Sequence, residues 1–173
     1  MKERNTANNG KKRNKGAASM KYTEEKRDLF TLPKDYMLVH CISADFAMGA
    51  GIAKRFTLLG VRDALYKCQA YGSLHTRGYF DGKGYCMITR EEICGWKVAN
   101  LVTKNRYYDK PTYKTLRDAL HDLKKHLENF PEVKKLGMPL IGCGLDKLQW
   151  DKVKGIIEDQ FGDTDYEITV CRL

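Results

Sequence analysis

Apolar positions along the chain follow two periods. Leu116, Leu120, Leu123 and Leu127 recur at helical spacing, so Thr115–Asn129 is predicted to be a helix whose leucine stripe faces the core. Helical patterns also cover Ala50–Leu59, Val61–Tyr71 and Trp150–Phe161. Strands are predicted at Tyr22–Lys26, Tyr36–Ile42, Leu74–Phe80, Gly84–Thr89, Lys97–Thr103, Leu136–Ile141 and Tyr166–Val170. No internal repeat is visible, and strands separated by helices imply a three-layer α/β domain.

Two predicted strands run into glycine loops followed by helices. The first is Met37–Ile42, followed by Ser43-Ala44-Asp45 and Met48-Gly49-Ala50-Gly51-Ile52-Ala53. The second is Pro139-Leu140-Ile141, followed by Gly142-Cys143-Gly144-Leu145-Asp146 and the helix after Gln149. Glycine reaches positive φ without steric cost, which lets backbone N–H groups turn inward around an anion. Two helix N-termini facing one crevice would suit a diphosphate. Asp146 would then stand beside that anion, and as a bland alternative it caps the helix that follows.

Common nucleotide motifs do not fit. Gly49-Ala50-Gly51 lacks the third glycine of the nicotinamide-dinucleotide fold, and Tyr71 lies near the position where that fold needs an acid. Gly78–Gly84 is one residue short of a P-loop, and no Ser or Thr follows Lys83, so Asp81-Gly82 is read as a hairpin turn between strands.

The motifs Asp28-Leu29-Phe30, His40–Ser43, Met48–Ala53, Thr103-Lys104, Lys110–Tyr113 and Gly142–Asp146, in this order from about Met20 to the C-terminus, resemble the macrodomain family. Within it they resemble the branch of the terminal ADP-ribose protein glycohydrolase. The resemblance implies a three-layer α/β/α macrodomain with a central mixed sheet, binding ADP-ribose across the C-terminal edge of the strands. It makes Lys104 the nucleophile that attacks the anomeric carbon of the distal ribose, and Asp146 the group that handles the proton and ring opening. Asp28 would accept the adenine amino group beside Leu29. Ser43 with Gly49, Ala50, Gly51 and Ile52 would meet ribose and phosphates. Leu140, Ile141, Gly142, Cys143, Gly144 and Leu145 would surround the diphosphate and distal ribose, and Leu173 would close the adenine pocket. Three positions depart from the branch: Arg27 replaces an expected glycine, Leu140 a basic residue and Cys171 an aromatic one.

The resemblance implies removal of mono-ADP-ribose from glutamate or aspartate, with O-acetyl-ADP-ribose as a further ester substrate. A non-catalytic ADP-ribose reader needs the glycine loops without the lysine. A relative of the DNA-directed antitoxin macrodomains would act on a nucleobase. Apart from the resemblance, Lys104 reads as a solvated strand-end lysine. As a nucleophile it must be neutral, whereas an ordinary lysine has only about one amine in a few thousand neutral at pH 7. Partial burial and a cation such as Arg106 would favour the neutral form, and Asp146 would oppose it.

Composition adds boundaries. With 42% hydrophobic residues, the chain suits one domain. No apolar run reaches membrane-spanning length, and no apolar segment follows the charged N-terminus, so neither membrane insertion nor secretion is expected. The expected location is the cytoplasm, with the nucleus added for a eukaryotic chain, and the expected state is a monomer. Cysteines at 41, 68, 86, 94, 143 and 171 form no C-x-x-C pair and read as free thiols, with Cys143 as structural filler in preference to a nucleophile. His121 and His126 read as lying on different faces of one helix, so no metal site and no redox cofactor are expected. Residues 1–19 hold Lys2, Arg4, Lys11, Lys12, Arg13 and Lys15 against Glu3 alone, which is +5 of the formal +9. The 25 basic and 21 acidic residues that remain leave +4 on the expected macrodomain, residues 20–173. The basic segment reads as a disordered tail able to hold nucleic acid weakly in a salt-sensitive way, or as a solubilising leader.

Overall fold

The computed structural model describes residues 18–67, 70–71 and 76–173. The expected basic tail therefore falls outside it, apart from residues 18 and 19. Among the described residues seven strands form one mixed sheet: β1 (Lys21–Lys26), β2 (Tyr36–Ser43), β3 (Ala70–Tyr71), β4 (Tyr85–Thr89), β5 (Lys97–Lys104), β6 (Lys135–Met138) and β7 (Glu167–Arg172). Their order is β1-β7-β6-β2-β5-β4-β3, parallel from β1 through β5 and antiparallel at β4 and β3. Four helices, α1 (Gly51–Leu59), α2 (Val61–Tyr66), α3 (Tyr113–Leu127) and α4 (Trp150–Phe161), cover both faces.

The two cores explain the layers. On one face, the leucine stripe of α3 and Val153, Ile156 and Phe161 of α4 pack on Val39, Ala99, Leu101 and Ile168. On the other, Phe56 of α1 and Val61 and Leu65 of α2 pack on Leu38, Ile42, Val98 and Val102. The central strands β2 and β5 are thus buried on both sides, which is why each reads as a nearly unbroken apolar run. Helix α3 starts where Thr112 and Thr115 form a reciprocal capping box, and Lys124, Lys125 and His126 complement its C-terminal dipole.

Several sequence expectations fail for identifiable reasons. The helix expected over Val61–Tyr71 ends at Tyr66, because Ala70 and Tyr71 pair with Thr89 and Ile88 as an edge strand. The strand expected at Leu74–Phe80 lies partly outside the described residues; from Thr76 onward the chain turns, with Gly78 at φ +84° and Tyr79 N–H donating to the Thr76 carbonyl. Asp81-Gly82 does turn the chain, Asp81 Oδ1 accepting from Lys83 N at 3.0 Å, but no strand among the described residues leads into it from Thr76–Phe80, so it is no hairpin. The strand expected over Leu136–Ile141 stops at Met138, since Pro139 offers no N–H to continue the ladder. No described helix is long and apolar enough to cross a membrane.

Candidate active site

At the C-terminal ends of β2, β5, β6 and β7 the chain encloses a cavity of about 760 Å³, within the usual ligand-site range of about 300–1,000 Å³. Every residue expected to catalyse or to touch ADP-ribose lines it: Lys104 and Asp146, the Asp28–Leu29 pair, Ser43, the Gly49–Ile52 segment, the Leu140–Leu145 loop and Leu173.

Lys104 comes from the end of β5 and Asp146 from the loop after β6, 42 residues apart in sequence. Lys104 Nζ donates to Asp146 Oδ1 at 2.6 Å, and both side chains are largely shielded, at 13% and 16% exposure. A register shift between Ile42 and Ser43 sets Ser43 opposite Lys104, and Ala44 N–H donates to the Lys104 carbonyl at 2.9 Å. The lysine is therefore fixed through its backbone to the neighbouring parallel strand. Cys41 lies beside this pair; burial first, and the Asp146 charge second, push its thiol pKa up.

The loop after β2 is strained. Phe46 and Met48 have φ of +54° and +47°, in the left-handed region that side chains seldom occupy. Asp45 holds the loop in that path. Its Oδ1 accepts from Ser43 Oγ at 2.5 Å and Ala47 N at 3.1 Å, and its Oδ2 accepts from Tyr107 N at 3.0 Å. Burial raises the Asp45 carboxyl, but these hydrogen bonds and the charge of Arg106 outweigh it and hold the pKa below the usual range. Arg106 thus bears on Asp45. Helix α1 then begins at Gly51 with no side-chain cap at Ala50, and its N-terminus faces the cavity.

The second glycine loop departs from expectation in two ways. Helix α4 begins at Trp150 with Gln149 as its N-cap residue, and neither lines the cavity, so one helix N-terminus faces the crevice and not two. Asp146 does not cap α4; its carboxylate is held by Lys104 instead. Gly142 sits at φ +72°, and within the loop the N–H groups of Ile141 and Cys143 are engaged by the carbonyls of Pro139 and Leu140. Cys143 lines the cavity with its thiol pKa pushed up by burial, the direction that disfavours a thiolate.

At the opposite end, Asp28 caps the 3₁₀ turn Leu29–Thr31 by accepting from Phe30 N at 3.0 Å. Arg55 of α1 grips the same carboxylate through two hydrogen bonds of 3.0 and 2.9 Å, lies over the Phe30 ring at 4.4 Å, and with Phe30 N holds the Asp28 pKa down. Arg55 and Tyr107 went unnoticed in the sequence, where Asp45 appears only as part of a loop. The only local trace is Ser43-x-Asp45, since the Asp28–Arg55 and Asp45–Tyr107 contacts span 27 and 62 residues. Among the described residues no group of three or more His, Cys, Asp or Glu stands together as a metal site.

No family model matches the chain. It is, however, 40% identical over 163 residues to the ADP-ribose glycohydrolase OARD1 of Bos taurus, covering 92% of this chain and 97% of that protein. Its fold matches the macrodomain of Thermus aquaticus DarG with a TM-score of 0.66 at 18% identity, over 89% of this chain and 99% of the other. The chain belongs to the macrodomain family, in the OARD1 branch. The human OARD1 relative is 39% identical over the same length, with the same coverage of both chains. Thermosipho africanus DarTG, solved in complex with ADP-ribose, shares the macrodomain fold at a TM-score of 0.64 and 17% identity, over 87% of this chain and 41% of that one.

Proposed function

We propose that this macrodomain is an ADP-ribosyl hydrolase that removes mono-ADP-ribose from glutamate and aspartate side chains, with Lys104 as nucleophile and Asp146 as proton carrier. The observation that carries the reading is the shielded 2.6 Å pair of Lys104 and Asp146 on the wall of the cavity. The glycohydrolase name of relatives at 40% and 39% identity supports it. A reader module needs the cavity but has no use for a lysine desolvated against a carboxylate.

In the free protein Lys104 Nζ and the Asp146 carboxylate are held together as an ion pair. A substrate seated between the two groups weakens that hold, and Asp146 takes the proton as Lys104 Nζ attacks the anomeric carbon of the distal ribose. The bond from that carbon to the acyl oxygen breaks, and the acceptor leaves as a restored carboxylate. The nitrogen now bonded to the anomeric carbon sheds one proton to water, Asp146 returns its own proton to the ring oxygen as the ring C–O bond breaks, and the resulting protonated imine adds water to free Lys104 and ADP-ribose. O-acetyl-ADP-ribose also carries an acyl ester on the distal ribose and is proposed as a further substrate. No step calls on a metal.

Release of ADP-ribose from a glutamate-linked mono-ADP-ribosylated protein, with EDTA present, tests this directly. The wild type releases it and Lys104→Ala does not, while both bind ADP-ribose by calorimetry. Equal release by both proteins overturns the lysine mechanism, and binding with no release by the wild type returns the reader role.

A further inference from the structure

The cavity end that holds Lys104 and Asp146 has an exposed rim that the ADP-ribose reading leaves unused. Tyr107 and Tyr108 follow β5 as an edge-to-face pair with ring centroids 5.3 Å apart, and they are 65% and 64% exposed. Across from them Leu145, in the loop that carries Asp146, is 67% exposed. Lys110 ties the two sides together by donating from Nζ to the Leu145 carbonyl at 2.9 Å. Arg106, Lys110 and Lys147 are exposed cations on these two loops, and of the two carboxylates there Asp146 is paired with Lys104, which leaves Asp109.

Tyr107 and Leu145 line the cavity, whereas Arg106, Tyr108 and Lys110 do not. The outer residues are therefore placed for atoms beyond the ADP-ribose, on whatever carries it. Exposed tyrosines flanked by arginine form polypeptide-binding surfaces, because their large rigid rings bury apolar area at little conformational cost.

We propose that this rim docks the polypeptide that carries the modification, and that it selects acceptor residues lying in acidic segments. The proposal rests on the hydrolase reading for the nature of the ligand. Charge complementarity selects the sign: with Asp146 neutralised by Lys104, three exposed cations against Asp109 favour neighbouring Asp and Glu side chains and raise the encounter rate. The aliphatic Leu145 lip favours a polypeptide over a nucleic acid, which would ask for further cations or stacking faces at that position.

The test uses a synthetic peptide with one mono-ADP-ribosylated glutamate among Asp and Glu neighbours, the same peptide with Lys neighbours, and O-acetyl-ADP-ribose. The double variant Tyr108→Ser/Lys147→Gln is chosen because neither side chain lines the cavity, and the backbone N–H of Lys147, which donates to the Gly144 carbonyl, survives the change. The expected result is a rise in KM of about tenfold for the acidic peptide with kcat unchanged. The basic peptide shifts by less, and O-acetyl-ADP-ribose turnover and free ADP-ribose affinity stay as in the wild type. Equal effects on the peptides and O-acetyl-ADP-ribose, or no effect on any, overturn the docking role. Inhibition by a single-stranded oligonucleotide that exceeds inhibition by unmodified acidic peptide, and is lost in the variant, overturns it in favour of nucleic acid. Should the wild type turn over nothing, the same comparison is read as binding in the Lys104→Ala background. A rim-dependent preference for modified acidic peptide over free ADP-ribose then upholds the rim while the hydrolase reading falls, and equal affinities defeat both.

Discussion

Acidification is expected to weaken this fold through His40, a fully buried residue of β2. Asn100 Nδ2 donates to the Met87 carbonyl at 3.0 Å, which turns its Oδ1 toward His40 Nε2 at 2.6 Å. Nε2 therefore carries the proton, and Nδ1 is left with no hydrogen-bond partner among the described residues. The ring lies stacked on Phe56 with centroids 3.9 Å apart. Protonating Nδ1 would bury a charge with no acceptor, and this burial holds the His40 pKa down at about 4 against an ordinary 6.5. Because the folded value is the lower one, the stability is intact above about pH 6.5 and is lost as pH falls toward 4. The loss is about 2 kcal/mol by pH 5 and about 3 kcal/mol below pH 4. Urea unfolding followed by tryptophan fluorescence reads it as a midpoint about 1 M lower at pH 5 than at pH 7, for a slope of about 2 kcal/mol/M. The control is His40→Gln, whose amide can still donate to Asn100 but does not titrate. An identical pH dependence in wild type and His40→Gln would refute the reasoning.

Four further outcomes are expected. Lys104→Ala and Asp146→Ala each abolish turnover with ADP-ribose affinity held within about tenfold by calorimetry, because the phosphate and adenine contacts proposed lie elsewhere in the cavity. Gly84→Ala lowers stability by 3 kcal/mol or more on the scale of ~1–3 kcal/mol for ordinary overpacking, since its Cβ would stand 1.9 Å from the Thr115 carbonyl oxygen of α3; a melting temperature equal to wild type contradicts this. Gly142→Ala forces a side chain into positive φ and sets its Cβ 2.8 Å from Leu148 Cδ1, so ADP-ribose affinity drops by more than the ~1–2 kcal/mol lost in folding. Cys143→Ser keeps full activity, and Cys143 reacts with iodoacetamide more slowly than a free cysteine; rapid labelling with loss of turnover would make the thiol a participant.

The sequence disclosed features that one segment can specify alone. The α3 leucine stripe, the apolar β2 and β5 runs and the two glycine loops are local patterns, and they suffice to bring the candidate residues to one sheet edge. Features decided by a distant partner stayed hidden. Ala70-Tyr71 belongs to a strand only because Thr89 and Ile88 pair with it, and the helical pattern of the preceding turn masks it. Asp146 reads as a cap when its own neighbourhood is considered, and becomes half of an ion pair once Lys104 arrives from 42 residues away. Asp28 likewise shows a free carboxylate in sequence, whereas Arg55 occupies both its oxygens in the fold.

The Asp45 carboxylate has a mechanical meaning as well as an electrostatic one. One oxygen pins the turn that leads to α1, and the other pins the backbone two residues before Asp109, in the segment that leaves Lys104. The two walls of the cavity are thereby riveted together at one small group, so an occupant that stiffens the α1 side also stiffens the lysine side. Such a linkage is reciprocal by thermodynamic necessity: whatever loosens the segment after Lys104 must loosen the grip on the occupant by the same free energy.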